Sequence, residues 1–192
     1  MSRSWRFFAH PFLLPFTIGY ALFVLVVYRA GYWRMQDGVV TCIASSFERA
    51  ITPKGPYQTV TRIWGRPGAQ TIGALTVFAD EHERARQDLR VHEHTHIVQQ
   101  TLFALGGVAV VPPVFIALGI EPLWSLALSG FIGAAAYAIA YVAFFLVAFA
   151  LVGFRDWKAA YHDNPFEKWA YEEQADYMDM RPVDKARVWG HR

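Results

Sequence analysis

The sequence predicts a mainly α-helical integral membrane protein, with about three transmembrane helices joined to a small α+β domain. Three observations lead to that class. Residues 101–154 form a run of 54 residues whose only charge is Glu121. Residues 11–28 form a second run without charge, preceded by Arg3 and Arg6 and followed by Arg29 and Arg34. The remaining polar residues fall into two blocks, 29–100 and 155–192. With 54% hydrophobic and 18% charged residues, the chain is too apolar to be disordered. Cys42 is the single cysteine, which excludes an intrachain disulfide scaffold. A net charge of +2 without a basic block gives no nucleic-acid partner. The bilayer is therefore the first partner that the composition names.

About 20 apolar residues cross the hydrocarbon core, so 11–28 suffices for one helix and 101–154 for two. The first run is expected to be a retained helix and not a cleaved signal. It is long for the apolar part of a signal peptide, carries flanking aromatics and arginines, and lacks a small-x-small cleavage site. The long run divides at Gly119-Ile120-Glu121-Pro122, a good turn and a poor mid-membrane sequence. Thr101–Leu118, interrupted by Pro112-Pro113, is one pass, and Leu123–Phe154 is the other. The second pass carries Ser129, Gly130, Gly133, Ala134, Ala135 and Ala136, small residues suited to close helix packing.

The blocks 29–100 and 155–192 are then the two parts of one polar domain. In the first, Thr59–Trp64 alternates weakly, Gly65-Arg66-Pro67-Gly68 reads as a turn, and Thr71–Phe78 is rich in β-formers, which predicts a hairpin. Asp80–Leu105 has helical character without Gly or Pro. In the second, Asp163-Asn164-Pro165 is a cap with proline in the first turn of a helix.

The helical stretch contains Val91-His92-Glu93-His94-Thr95-His96-Ile97-Val98-Gln99-Gln100, and His92, Glu93 and His96 spell H-E-x-x-H. Residues four apart share a helix face, so both imidazoles can bind one Zn²⁺. Glu93, beside the first of them, can act as general base on a water at the metal. His94 lies about 200° around the helix from either partner and is expected in an outer layer or on the surface. Of Gln99 and Gln100, one is expected to line the cleft and the other to be polar surface near the membrane boundary. An edge strand in Thr71–Phe78 could hold an extended peptide by strand addition. A diiron site built from histidine boxes is disfavoured, because His10, His82, His162 and His191 form no cluster.

A catalytic zinc needs a third protein ligand, and the tail Tyr161-His162-Asp163-Asn164-Pro165-Phe166-Glu167-Lys168-Trp169-Ala170-Tyr171-Glu172-Glu173-Gln174-Ala175-Asp176 offers acids on a helix. With this tail the chain resembles the gluzincin zinc metallopeptidases, in which H-E-x-x-H is followed by a glutamate ligand on a later helix. Glu172-Glu173-Gln174-Ala175-Asp176 is similar to the E-x-x-A-D signature of membrane-embedded relatives, the CAAX prenyl peptidase and heat-shock protease family. That match implies Glu172 as ligand and Asp176 as the partner of a ligand histidine. A second resemblance is to small bacterial membrane proteins that pair H-E-x-x-H-x-x-x-Q with N-P-x-E, here Asn164-Pro165-Phe166-Glu167. It implies Glu167 as ligand and Tyr171 as an oxyanion-stabilising phenol. Five residues and about 140° separate Glu167 from Glu172, so one of the two is expected at the metal. Glu167 is preferred, because N-P-F-E and the upstream glutamines occur together in that group, and Glu172 stays the alternative.

The third ligand must return to the side of the membrane that holds His92 and His96, so 101–154 must cross an even number of times. The first helix adds a third span. Lysine and arginine number 9 in 29–100 and 7 in 155–192, against 2 before residue 11 and none at the Glu121 turn. The positive-inside rule thus expects the site to face the cytoplasm, and the resemblance to bacterial proteins implies the inner membrane. The resulting expectation is a membrane-bound zinc endopeptidase acting on a peptide or protein substrate. Its alternative is a non-catalytic membrane binding or scaffold protein that keeps the zinc site.

Overall fold

The computed structural model describes residues 6–27, 30–36, 39–43, 68–180 and 182. The expected strand at Thr59–Trp64 and the turn residues 65–67 lie outside the described residues. Most of the described chain is helical, and a four-stranded sheet in the order β1-β2-β4-β3 accompanies the helices.

The first helix, α1 (Arg6–Val27), buries Leu13, Tyr20 and Val24 along one face and exposes Leu14, Ile18, Leu22, Leu25 and Val26 on the other. Its amino-terminal half packs on a later helix, where Phe16 stacks on Phe131 at 4.9 Å between ring centroids. Its carboxy-terminal half covers the sheet, with Tyr20 and Val24 joining Cys42, Leu75 and Val77 in one core cluster. Burial pushes the Cys42 thiol up to about 12, against the lowering effect of the Arg84 charge.

Strands β1 (Gly31–Gln36) and β2 (Val39–Ile43) pair antiparallel, and β2 runs parallel to β4 (Leu75–Phe78). Every residue of β4 is buried, as expected for a central strand covered on both faces. Strand β3 (Ala69–Ile72) pairs antiparallel with β4 and is an edge of the sheet among the described residues. The segment Thr71–Phe78, expected as one strand, therefore contains a hairpin. Gly73 makes the reversal with φ of 64°, a left-handed conformation suited to the first central position of a two-residue turn. A Cβ there would also lie 2.5 Å from Thr17 Oγ1, so α1 presses directly on the turn. Thr17 accepts from the Ala74 amide at 2.8 Å.

Helix α2 (Glu81–Ala85) is capped by Asp80, whose carboxylate accepts from the Glu83 amide at 2.8 Å. The sequence pattern predicts unbroken helix over 80–105, but Arg86 is extended, with ψ of 110°. Its guanidinium bridges Glu83 at 2.9 Å and Asp88 at 2.7 Å, holding a corner that neither glycine nor proline marks. Helix α3 (Gln87–Val110) then carries the H-E-x-x-H residues and runs on to Val110. No structural boundary falls at residue 100: the motif and the first half of the long apolar run share one helix.

Proline at its first position starts α4 (Pro112–Ala117), and the chain reverses through Gly119 at φ of 82°. Glu121 caps α5 (Pro122–Leu151), accepting from the amides of Leu123 at 3.1 Å and Trp124 at 3.3 Å. Two further helices, α6 (Trp157–Asp163) and α7 (Pro165–Asp179), are capped by Asp156 and Asn164. Residues Gln87–Ala117 and Pro122–Leu151 are long and apolar enough to cross a membrane, while the apolar stretch of α1, Phe12–Val26, is shorter. Two candidate spans, not three, meet that criterion among the described residues.

Helices α3 and α5 meet where side chains are smallest. A Cβ on Gly107 would fall 2.2 Å from the Ser129 carbonyl oxygen, and one on Gly133 would fall 2.2 Å from that of Phe103. The backbones touch, which only glycine allows. Ser125 and Ser129 satisfy their hydroxyls on carbonyls of their own helix, Ser129 donating to Ser125 at 2.6 Å. The adjacent pair Gly106 and Gly107 gives a test with opposite signs, because a Cβ on Gly106 meets nothing within 4 Å. Gly107→Ala should destabilise by about 1–3 kcal/mol through overpacking. Gly106→Ala should be neutral or stabilise by up to about 1 kcal/mol. Thermal unfolding of both variants in one detergent checks the contrast, and equal shifts would contradict it.

Candidate metal centre

Helix α3 brings His92, Glu93, His96, Gln99 and Gln100 into the interior, facing α5, α7 and β3. His96 Nε2 lies 3.3 Å from His92 Nε2. Glu167, 1% exposed, enters from the first turn of α7. Its Oε2 is 3.1 Å from His92 Nε2 and its Oε1 is 3.3 Å from His96 Nε2. Ligands held about 2.0–2.1 Å from a tetrahedral metal stand about 3.3 Å from one another. His92, His96 and Glu167 thus have the chemistry and the spacing to hold one metal ion, and their ligand atoms converge.

The ring orientation of His96 fits the same use. Gln99 donates from Nε2 to the Phe166 carbonyl at 2.8 Å, which turns its Oε1 toward His96 Nδ1 at 3.0 Å. Tyr137 donates to the same oxygen at 3.0 Å. An acceptor at that position requires the proton on Nδ1 and leaves the Nε2 lone pair for a metal. His92 is held by packing instead: its ring lies 4.5 Å from that of Tyr171, tilted by 58°.

Each member of Asn164-Pro165-Phe166-Glu167 has a local task. Asn164 caps α7 by accepting from the Phe166 amide at 3.1 Å, and donates to the Tyr141 carbonyl at 3.1 Å. Pro165 takes the first helical position, where a missing N–H costs nothing. Phe166 packs among Phe103, Tyr137, Tyr141 and Phe144, fixing the start of α7 against α3 and α5. Glu167 follows, aimed at the histidines. Burial pushes its carboxyl up, but the bonds to His92 and His96, with the Tyr141 hydroxyl at 2.5 Å, outweigh burial and hold it well below the usual carboxylate range.

Glu93 is buried beside the cluster and bonds the Thr71 hydroxyl, which shares a 2.8 Å hydrogen bond with Thr76 across the hairpin. Strand β3 therefore lies directly alongside the general-base candidate. Tyr161 bonds Glu167, and burial together with the negative charge of Glu167 raises its phenol. Tyr171 is raised by the same two causes in the same order. Both phenols keep their protons at neutral pH.

Other residues singled out from the sequence fall elsewhere. Glu172 and Asp176 are exposed on α7 and stand outside the cluster, as does Glu173. Among the described residues the His92 Nδ1 atom has no hydrogen-bond partner, so Asp176 does not serve it. His94 is buried, not on the surface. Neither glutamine is polar surface: Gln99 orients His96, and Gln100 accepts from the Gly73 amide at 2.8 Å, tying the hairpin turn to α3. Tyr137, Tyr141 and Tyr161 escaped the sequence reading. The signal that marks the first two is a pair of hydroxyls four residues apart inside an otherwise apolar helix, where a polar group needs a partner.

Comparison of the chain with protein-family models, curated proteins and solved structures gives no match.

Glu167→Gln should remove most bound zinc, whereas Glu172→Gln should leave one zinc per chain. Metal analysis after dialysis checks both, and the reverse pattern would make Glu172 the ligand. Gln99→Leu should keep the fold and weaken zinc by about 10–100-fold, read by chelator competition.

Proposed function

We propose that the protein is a membrane-bound zinc metallopeptidase of gluzincin type. The observation that carries this reading is the convergence of His92, His96 and Glu167 at metal-ligand spacing, with Glu93 next to the first histidine. Two nitrogens and one carboxylate oxygen suit zinc and leave a fourth position for water or substrate. Bound there, zinc would polarise a carbonyl and make a nearby water acidic.

The chain's own groups supply the rest. A substrate in extended conformation would add to β3, an edge strand among the described residues, beside Thr71 and Glu93. Glu93 takes the proton of the attacking water and passes it to the leaving nitrogen as the peptide bond breaks. Tyr171, protonated and beside His92, is the donor proposed for the developing oxygen charge, while the Tyr161 hydroxyl is engaged by Glu167. Glu167 keeps its charge because its partners outweigh its burial.

The membrane reading rests on Gln87–Ala117 and Pro122–Leu151, whose most apolar windows are only 28% and 17% buried. A soluble core helix would have most of that surface covered. The hairpin brings Glu167 back to the histidines, as an even number of crossings requires. Helix α1 enters the same bilayer as a third apolar segment, and the excess of lysine and arginine around the site turns that side toward the cytoplasm.

Glu93→Gln is the direct test. The variant should bind zinc like the parent and lose hydrolysis of a peptide library by several orders of magnitude. Undiminished turnover would remove Glu93 from the chemistry. Zinc binding without any turnover in the parent would favour a metal-stabilised scaffold.

A further inference from the structure

The depth of the site follows from where the two ends of α5 can sit. Residues 122–154 carry no charge, and α5 spans Pro122–Leu151, about 45 Å at 1.5 Å per residue. The hydrocarbon core is about 30 Å thick and takes about 20 residues. A core that begins at the Glu121 turn reaches about residue 141, and one that ends before Arg155 begins at about residue 135. Residues 135–141 lie inside the core in both extremes and in every placement between them. Tilt lengthens the span inside and widens that overlap.

Tyr137 and Tyr141 fall in this stretch and are the α5 residues that touch the metal centre. Tyr137 Oη is 3.2 Å from His96 Nδ1, and Tyr141 donates to Glu167 Oε1 at 2.5 Å. The outer face of α5 at this level is apolar and open: Ile139, between the two tyrosines, is 70% exposed, and Val142 and Phe144 follow. Exposed apolar residues continue beyond the site to Leu151 at 83%. Helix α1, which packs on α5 through Phe16 and Phe131, behaves alike. It passes the Gly73 turn at Thr17 and still exposes Ile18, Leu22, Leu25 and Val26 beside the sheet. Tyr32 and Trp33, exposed on β1 just past α1, are residue types that collect at the membrane–water interface. Two elements, α5 and α1, thus carry exposed apolar surface beyond the residues through which they touch the site and the Gly73 turn.

From this we infer that the metal centre lies at bilayer depth and that its substrate is a membrane-embedded polypeptide segment. The inference rests on the metallopeptidase reading for its chemistry, and on α5 and α1 for its depth. A segment unwound in lipid would expose unpaired amides, and β3, an edge strand among the described residues, can pair them, so a transmembrane segment with a weak helix is the form of substrate that fits.

The test has two arms on the full chain in phosphatidylcholine–phosphatidylglycerol vesicles. In the first, Ile139→Cys is labelled with a bimane fluorophore. Cys42, fully buried and with its thiol pushed up to about 12, should not label, and the parent chain controls for it. Bromines on the lipid acyl chains should quench the label while aqueous iodide does not. Quenching by iodide alone would overturn the depth assignment whether or not the protein hydrolyses anything. In the second arm, a single-span polypeptide with a Leu/Ala core interrupted by glycine is mixed with the same sequence as a short soluble peptide. The embedded form should be cut about tenfold faster or more, within its apolar segment, because both partners share one bilayer. Preference for the soluble peptide would overturn the substrate class. Cleavage of neither, with the label still at acyl-chain depth, would count against the metallopeptidase reading and against this substrate while leaving the depth intact.

Discussion

The contact of Glu167 with His92, 75 residues away in sequence and 3.1 Å away in space, is the constraint on which the structure depends. To make it, the chain must leave α3 along an apolar path, reverse, and come back beside its starting point. The reversal at Glu121 and the two glycines that let α3 and α5 touch are what that return requires. A bulkier residue at Gly107 or Gly133 would push α5 outward and carry Tyr137, Tyr141 and the start of α7 with it. The helix crossing and the His92, His96 and Glu167 cluster are therefore one mechanical unit.

Within that unit the polar groups are held by a short chain of hydrogen bonds from backbone to imidazole. Phe166 offers its carbonyl to Gln99, Gln99 offers its oxygen to His96, and His96 is left with a lone pair toward Glu167. Phe166 also supplies the packing that seats α7, so one residue sets both the position of Glu167 and the tautomer of His96. On the other side, Gln100 and Thr17 clamp the Gly73 turn. That clamp keeps β3 beside Glu93. Burial of so many polar groups in an apolar surround is costly unless they bond one another, and here most do.

Much of this was legible in the residues. The four-residue spacing of His92 and His96 puts them on one face, Asn164-Pro165 marks a helix start, and Glu121-Pro122 marks a reversal. Each of these signals is local, set by periodicity or by cap chemistry. What escaped was decided by tertiary contacts. The corner at Arg86 depends on a guanidinium between two carboxylates, with no breaker residue to announce it. The hairpin inside Thr71–Phe78 hinged on Gly73, whose need for a positive φ is set by α1 pressing on the turn. That Glu167 and not Glu172 faces the histidines depends on which side of α7 meets α3, and Phe166 fixes that. Tyr137 and Tyr141 were hidden because an apolar run reads as lipid-facing, although one of its faces lines a polar site.

Two imidazoles and one carboxylate of this chain are proposed to form a zinc centre. X-ray absorption spectroscopy on the zinc-loaded protein tests it most directly. Zinc held by His92, His96 and Glu167 should show a shell of nitrogen and oxygen ligands at about 2.0–2.1 Å, with the outer-shell scattering of two imidazole rings and no sulfur. A sulfur shell at about 2.3 Å, or a spectrum of all-oxygen ligation without imidazole scattering, would contradict it.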